Sequence, residues 1–449
     1  MSLILLLVIL LLIIFVALLT FCNSTRNLFG GYRTSSLDRK TDTGRDLYSA
    51  IDMRHDKPIC EYPDPIPVIN NSIRYPYDAL LRHVNVQKAK FIGSGSIGSV
   101  FLCESSSAIE NTSNRIVCIK ITKSLDEATK NHMILLKLLE ESGRIRGTVD
   151  NKIERIANDY RICAIYKVST YNVSIDTEIV PYHMIFMQNM CGLPLLNSIY
   201  AHLTLDKLKV ILFNLICGVY ALHKVFHILH RDLKLENAMF ADNVDSSDLT
   251  TYANLRIIDW GFAIHMGDYE IVSVNTMCGS PVCISPRQIV NLFEHGARFA
   301  VGYRDDIFAL GIMMYNLITG GDEYYGSMVS NLQMLRERAR AAIRDPEQKK
   351  AGIRANILRR YSDPNLINLV LGALEIDETR RSTVADLINN PFFDDIPLNC
   401  IPNFLYQREE YIRRLDINTD ETNRFIIENR EIDPPLVESE EAADPMFLD

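Results

Sequence analysis

The sequence predicts an α+β fold in two lobes, a small β-rich lobe followed by a larger helical one, with a transmembrane helix ahead of both. Three observations carry this. Strand-type runs frame residues 86–190, while from Leu205 apolar residues recur at helical spacing. A buried strand-like run over residues 182–190 breaks at Cys191-Gly192, which reads as a hinge between the lobes. Residues 3–22 are apolar except for Thr20 and carry no charge, a run long enough to cross a bilayer core.

With 449 residues, 47% of them apolar, the chain suits one two-lobed domain with extensions, and global disorder is excluded. The net charge of −9 is carried by residues 395–449, where 5 Lys and Arg face 14 Asp and Glu; residues 1–394 are neutral overall. An acidic tail on a neutral body argues against a general nucleic-acid binder, so no nucleic acid is expected among the partners. The 10 cysteines are scattered without a C-x-x-C pair. No disulfide framework or zinc site is legible, and a reducing compartment is the expectation. Cys118 and Cys217 sit inside apolar runs, where a thiol behaves as a small hydrophobe.

Residues 1–22 read as a single-pass anchor. A cleaved signal peptide competes, with Thr20-Phe21-Cys22 as its cleavage site, but the apolar run is long and no basic residue precedes it. Arg26, Arg33, Arg39, Lys40 and Arg45 follow the span against Asp38 and Asp42, which orients the remaining chain into the cytosol. Asn-x-Ser/Thr sequons at Asn23, Asn70, Asn111 and Asn172 would matter only in the opposite orientation. Residues 23–85, rich in Pro, Asp, Asn and Tyr, read as a linker with local extended structure.

At Val86 the character changes. The stretch Phe91-Ile92-Gly93-Ser-Gly95-Ser-Ile-Gly98-Ser-Val100-Phe101 places three glycines between strand-type flanks, a hairpin that can lie flat over phosphates. It lacks the Gly-Lys-Ser/Thr ending of a P-loop, and a strand follows it rather than a helix. Lys120 stands alone in the next apolar strand, Ile116-Val-Cys-Ile-Lys-Ile121, either snorkelling at an edge or reaching under that hairpin. Residues 125–141 follow a helical pattern.

Residues 205–226 predict a long core helix, and a polar cluster follows it in Ile228-Leu-His-Arg-Asp232-Leu-Lys234-Leu-Glu-Asn237-Ala238. A carboxylate at Asp232 can accept a proton from a hydroxyl, Lys234 can neutralise charge beside it, and Asn237 can offer an amide oxygen to a hard cation. Residues 242–254 form an acidic, Ser/Thr-rich surface insertion. The strand Leu255-Arg-Ile-Ile258 then ends in Asp259-Trp-Gly-Phe262, where a carboxylate at a strand end suits Mg²⁺.

Taken in order, the glycine hairpin, Val117-Cys-Ile-Lys120, His230-Arg-Asp-Leu-Lys-Leu-Glu-Asn237 and Asp259-Trp-Gly261 resemble the eukaryotic-type protein kinase family. Cys278-Gly-Ser-Pro281, Ser285-Pro286, Asp306-Ile-Phe-Ala-Leu-Gly311 and Arg380-Arg381 before Asn390-Pro-Phe-Phe393 extend the resemblance over residues 86–394. It implies a protein kinase-like fold, with a small lobe over 86–190 and a large lobe over 191–394, followed by an acidic tail over 395–449.

The resemblance also implies phosphoryl transfer from ATP, with Mg²⁺, to a protein substrate. Ile92, Gly93, Gly95, Gly98 and Val100 would cover the nucleotide, and Lys120 would pair with its α/β-phosphates. Met187 would guard the back of the adenine pocket, with Gln188 and Met190 in the hinge strand. Asp232 would orient the substrate hydroxyl and accept its proton, Lys234 would steady the transferred group, and Asn237 and Asp259 would hold the metal. Lys234 and Ser280 resemble the serine/threonine branch. Thr276 lies where activation-loop phosphorylation often falls in that family, and a phosphate there could pair with Arg231 and order the loop. Leu193 and Pro194, just past the hinge, offer no carboxylate to a basic substrate residue.

The chain departs from the family pattern at three places. Trp260 replaces the Phe of the Asp-Phe-Gly triplet and is expected to pack as an apolar plug. Arg287 replaces the Glu that pairs with the Arg matching Arg381, so two cations would face each other unless an acid intervenes. The partner of Lys120 is open among His132, Glu127 and Glu140. These departures keep a pseudokinase, an interaction scaffold with a kinase fold, as the alternative to a membrane-anchored serine/threonine kinase. The sequence does not indicate oligomeric state. Residues 404–427 are amphipathic and expected to pack back on the large lobe.

Overall fold

The computed structural model describes residues 66–407 apart from 70–72, 95–97, 108, 144–150, 176, 201–202, 276–277, 296–298 and 327–330. The expected membrane span, the basic stretch after it and the acidic end of the chain lie outside the described residues.

The small lobe is built on an antiparallel sheet of five strands in the order β1-β2-β3-β5-β4. These are β1 (Val86–Ser94), β2 (Gly98–Ser105), β3 (Ile116–Thr122), β4 (Ile165–Ile175) and β5 (Glu178–Met187). Side chains alternate across a strand, so Val117, Ile119 and Ile121 of β3 enter the main core while Cys118 and Lys120 occupy the opposite face. Helix α1 (Tyr77–His83) precedes the sheet, and α2 (Leu125–Gly143) and α3 (Lys152–Asp159) stand between β3 and β4. Helix α2 packs against β4 and β5. Its inward face carries Glu127, Asn131, Ile134, Leu135 and Leu138.

Part of the expected linker is folded. Ile69, Ile73, Leu80 and Leu81 are buried in the main core, and the Arg82 guanidinium donates to the Ile69 carbonyl at 2.7 Å. Each such aliphatic side chain contributes about 1.5–3 kcal/mol when fully buried, which holds this stretch on the sheet against its prolines.

The large lobe is centred on α4 (Leu205–Tyr220), capped by the Thr204 hydroxyl accepting from the Lys207 N–H. Leu208 through Tyr220 are all buried. Helix α4 and the wider turn after it, Leu205–Val225, form the one helix among the described residues long and apolar enough for a bilayer, and 89% of its most apolar window lies inside the fold. Short pairs follow: β6 (Ile228–Leu229) with β9 (Ile264–His265), and β7 (Ala238–Phe240) with β8 (Leu255–Ile257). The surface insertion between β7 and β8 holds a short helix, α5 (Leu249–Tyr252), pinned by the buried Tyr252.

A ribbon of β10 (Ile271–Val274) and β11 (Phe299–Gly302) brackets α6 (Pro286–His295). Helix α7 (Tyr303–Thr319), largely buried, follows, with α8 (Leu332–Arg344), α9 (Pro346–Leu358), α10 (Pro364–Ala373) and α11 (Val384–Ile388) around it.

Of the amphipathic stretch expected to pack back, residues 404–427, only 404–407 lie among the described residues, and the chain leading into them docks on the end of α3. Asp159 accepts the backbone N–H groups of Asn403 (2.7 Å) and Phe404 (2.9 Å), and the Phe404 ring packs on Tyr160 with centroids 4.9 Å apart. Cys118 and Cys217 are buried, as their apolar settings predicted.

Candidate active site

Two turns bring together the residues that the sequence singled out. Beyond the core helix, the loop at His230 takes a positive φ of 68° at Arg231 and is held from below by Asp306 on α7. The Asp306 carboxylate accepts the backbone N–H groups of His230 (2.7 Å) and Arg231 (2.9 Å) and pairs with His223 Nε2 at 3.0 Å. Burial pushes the Asp306 carboxyl upward, but the His223 bond and nearby imidazole charge outweigh it and leave its pKa lowered. A buried carboxylate with three donors is a fixed anchor, and the loop inherits its position.

That loop presents Asp232, which is buried. One carboxylate oxygen accepts the Ser280 N–H at 3.0 Å. The other accepts Lys234 Nζ at 2.7 Å and Asn237 Nδ2 at 2.8 Å. Gly279 makes the first contact possible: its φ is +92°, and a Cβ there would collide with the Arg231 carbonyl. Because the Asn237 amide nitrogen also donates to the Asp232 carbonyl at 2.8 Å, its oxygen is the atom left for a cation.

Asp259, with φ of 66°, follows β8. Its Oδ1 accepts the Gly261 N–H at 3.2 Å and stands 3.5 Å from Lys120 Nζ. Burial acts to raise this carboxyl, yet the Lys120 ammonium and the Gly261 bond hold it below its usual range. Lys120 itself is ion-paired with Glu127, whose side chain is fully buried. Burial opposes the Lys120 charge, but Asp259 and Glu127 together raise its pKa. Of the three candidates for the Lys120 partner, the structure selects Glu127; His132 and Glu140 lie on the exposed side of α2. Lys130, on the same helix, donates to the Gly261 carbonyl at 3.0 Å.

Lys120, Asp259, Lys234, Asp232 and Asn237 therefore form one polar constellation between the lobes, as the sequence requires. Above it, β1 and β2 pair Gly93 with Val100, and Val100 sits opposite Lys120 in β3. A Cβ on Gly98 would lie 2.9 Å from the Ile121 carbonyl, so only glycine allows the hairpin this close to β3. Ile92 is exposed, Met187 and Met190 are half-buried, and Gly95 lies outside the described residues, as does Thr276. The Gln188 side chain turns away from the cleft: its amide nitrogen donates to Asn158 Oδ1 at 3.0 Å and its oxygen accepts the Ala164 N–H at 3.3 Å. Its backbone N–H is likewise engaged, donating to the Ala164 carbonyl at 2.9 Å, so Gln188 serves to tie the hinge to the start of β4.

Trp260 is 1% exposed and packs against the His230 ring at 5.4 Å, the apolar plug expected of it. The predicted clash of two arginines does not occur. Arg287 is exposed, with Asp377 as a neighbouring acid, whereas Arg381 is buried. Arg381 donates to the carbonyls of Glu375 (2.7 Å) and Arg304 (2.7 Å) and lies 4.9 Å over the Phe308 ring.

The model of the protein kinase domain matches residues 86–393. The chain belongs to the protein kinase family. Its named relatives are of the serine/threonine branch. Serine/threonine-protein kinase pakA of Talaromyces marneffei is 25% identical over 329 residues, 73% of this chain and 42% of that protein. The probable serine/threonine-protein kinase CCRP1 of Zea mays is 27% identical over 199 residues, 43% of this chain and 26% of its own length. Serine/threonine-protein kinase 33 of Bos taurus is 27% identical over 131 residues, 29% of this chain and 25% of its own. The chain thus spans between 25% and 42% of the length of these relatives. Within the kinase domain, sequence reading left Glu127 as one of three candidates, quoted Asp306 without a role and passed over His223.

Proposed function

We propose that this chain is a membrane-anchored serine/threonine protein kinase, with its catalytic domain on the cytosolic side, that transfers the γ-phosphate of ATP to hydroxyls of a protein substrate. The observation that carries the catalytic reading is the Lys120–Glu127 ion pair standing 3.5 Å from Asp259, itself beside the Asp232–Lys234 pair. A scaffold with no chemistry to perform has no need of a buried carboxylate that orients one lysine.

The residues fit a hard divalent cation. Asn237 has an amide oxygen to give, and Asp259 keeps Oδ2 on a side chain that is 41% exposed. Mg²⁺ bound there would neutralise charge on the nucleotide phosphates. Lys120, fixed by Glu127, would bind the α/β-phosphates. Asp232 would accept the hydrogen bond of the incoming hydroxyl and then its proton, and Lys234 would offset charge on the oxygens in transfer. Such catalysis is positioning and electrostatics rather than covalent chemistry by the protein.

The membrane reading rests on residues 3–22 and the basic residues that follow them. The decisive experiment is transfer of labelled phosphate from Mg·ATP to a generic protein substrate by the full chain, compared with Asp259→Ala. Nucleotide binding without transfer would overturn the enzyme reading in favour of a scaffold. Glycan additions at Asn70 or Asn111 in membranes would overturn the orientation.

A further inference from the structure

A segment that precedes the matched domain reaches the cleft. Residues 66–69 run alongside β1: the Ala89 N–H donates to the Pro67 carbonyl (3.0 Å), the Ile69 N–H donates to the Gln87 carbonyl (3.1 Å), and Val68 bridges Lys88. This pairing seats Ile66, 6% exposed, in an apolar cluster with Leu102 and Cys118, separate from the main core. Val100 and Met187, both half-buried, pack against that cluster. It therefore lies on the face of the sheet that carries Lys120, not on the face that builds the lobe's interior.

We propose that Ile66 is a positioning residue of the nucleotide site. It backs the apolar wall of Val100, Cys118 and Met187 against which a flat purine ring would lie. The inference rests on the ATP reading of the cleft given above. Val100 and Met187 each keep one side open, so what packs on their cluster decides whether the wall is dry and fixed. Removing the Ile66 side chain leaves a gap at the cluster, and contact with the ring weakens. Phosphate chemistry changes far less, because Lys120 is held by Glu127 and Asp232 by the Ser280 N–H, Lys234 and Asn237. The affinity for ATP is in this way tied to a stretch of chain that the family domain does not include, on the side that leads to residues 1–65.

The test compares the full chain with Ile66→Ala, Ile66→Asp and Ile66→Val, reading Mg·ATP affinity by direct titration and KM and kcat by phosphate transfer. Ile66→Ala and Ile66→Asp should raise Kd and KM for ATP by about tenfold, the scale for lost apolar contact in a pocket, with kcat changed less than about twofold. Ile66→Val should restore most of the affinity. Thermal melts without nucleotide separate a folding defect from a site defect, with Ile66→Ala as the milder variant. Unchanged Kd in folded Ile66→Ala would overturn the proposal while leaving the kinase reading intact. Tighter ATP binding in that variant would overturn it too, since Ile66 would then be a plug rather than a wall. No ATP binding by the wild type would strike the kinase reading itself.

Discussion

Lys120 on β3 and Glu127 at the start of α2 are ion-paired, and the glutamate side chain is completely buried. A buried carboxylate without its cation is strongly disfavoured, so the pair fixes α2 to the sheet while it aims the ammonium at Asp259. Glu127→Gln should lower kcat/KM on the order of 100-fold, the scale at which a misplaced catalytic group costs rate. His132→Ala and Glu140→Ala should leave it near the wild-type value. Steady-state kinetics on the three variants checks this ordering, and equal losses in all three would refute the assignment.

Asp306 supports the catalytic loop through two backbone N–H groups and His223. Asp306→Ala strands these buried donors, and each unsatisfied one costs about 1–3 kcal/mol. Urea unfolding should show a loss of at least about 3 kcal/mol, with activity lost as well. A variant that melts like the wild type would show that the loop has another support.

Asp305, next to it, behaves oppositely. Burial pushes its carboxyl up to about 7; Glu378 and Asp306 add to the rise, while the Gly302 N–H and Arg381 oppose it. In the unfolded chain it titrates near 3.9, so the folded state prefers the protonated form. The group's contribution is fully favourable below the unfolded value and is lost as pH rises toward 7, by about 1.4 kcal/mol per unit. Asp305→Asn should therefore stabilise the protein more at pH 8 than at pH 5, by at least about 1 kcal/mol. Denaturant melts at the two pH values read this directly, and equal gains would exclude a raised pKa.

Trp260 is buried, and its indole N–H finds no hydrogen-bond partner among the described residues. Trp260→Phe removes an unsatisfied donor, worth about 1–3 kcal/mol, and leaves a smaller ring in a tight site. These terms oppose each other, so stability should change by less than about 1.5 kcal/mol and phosphate transfer by only a few-fold. A loss of activity beyond about tenfold would mean that the indole has a role of its own.

Phe404 lies beyond the matched domain yet is 3% exposed, against Tyr160 and Tyr220. Phe404→Ala should cost about 3–5 kcal/mol, the usual range for a buried Phe. A calorimetric melt that does not shift would show that the contact is dispensable.

The candidate site side chains were legible because each lies in a short local pattern: Asp232, Lys234 and Asn237 within six residues, Asp259 two residues before a glycine, Lys120 inside an apolar strand. Their supports were not, because tertiary packing selects them. Glu127 was one of three candidates by spacing, and only the inward stripe of Asn131, Ile134 and Leu138 distinguishes it from His132 and Glu140. Asp306 serves a loop about 75 residues earlier in the chain. The expected conflict between Arg287 and Arg381 assumed a side-chain partner, whereas Arg381 is satisfied by backbone carbonyls, which no pattern of charges reveals. Helix α1 was hidden by the prolines around it, although Leu80 and Leu81 sit at its core.

Both flanks of the matched region are folded, and this bears on how the protein should be handled. A recombinant fragment trimmed to residues 86–393 would discard Leu80 and Leu81 at one end and Phe404, Leu405 and Tyr406 at the other, all of them buried. The faces they cover would meet water, and such fragments should precipitate or associate with one another in solution. Soluble preparations should come from boundaries placed before Ile66 and after Gln407.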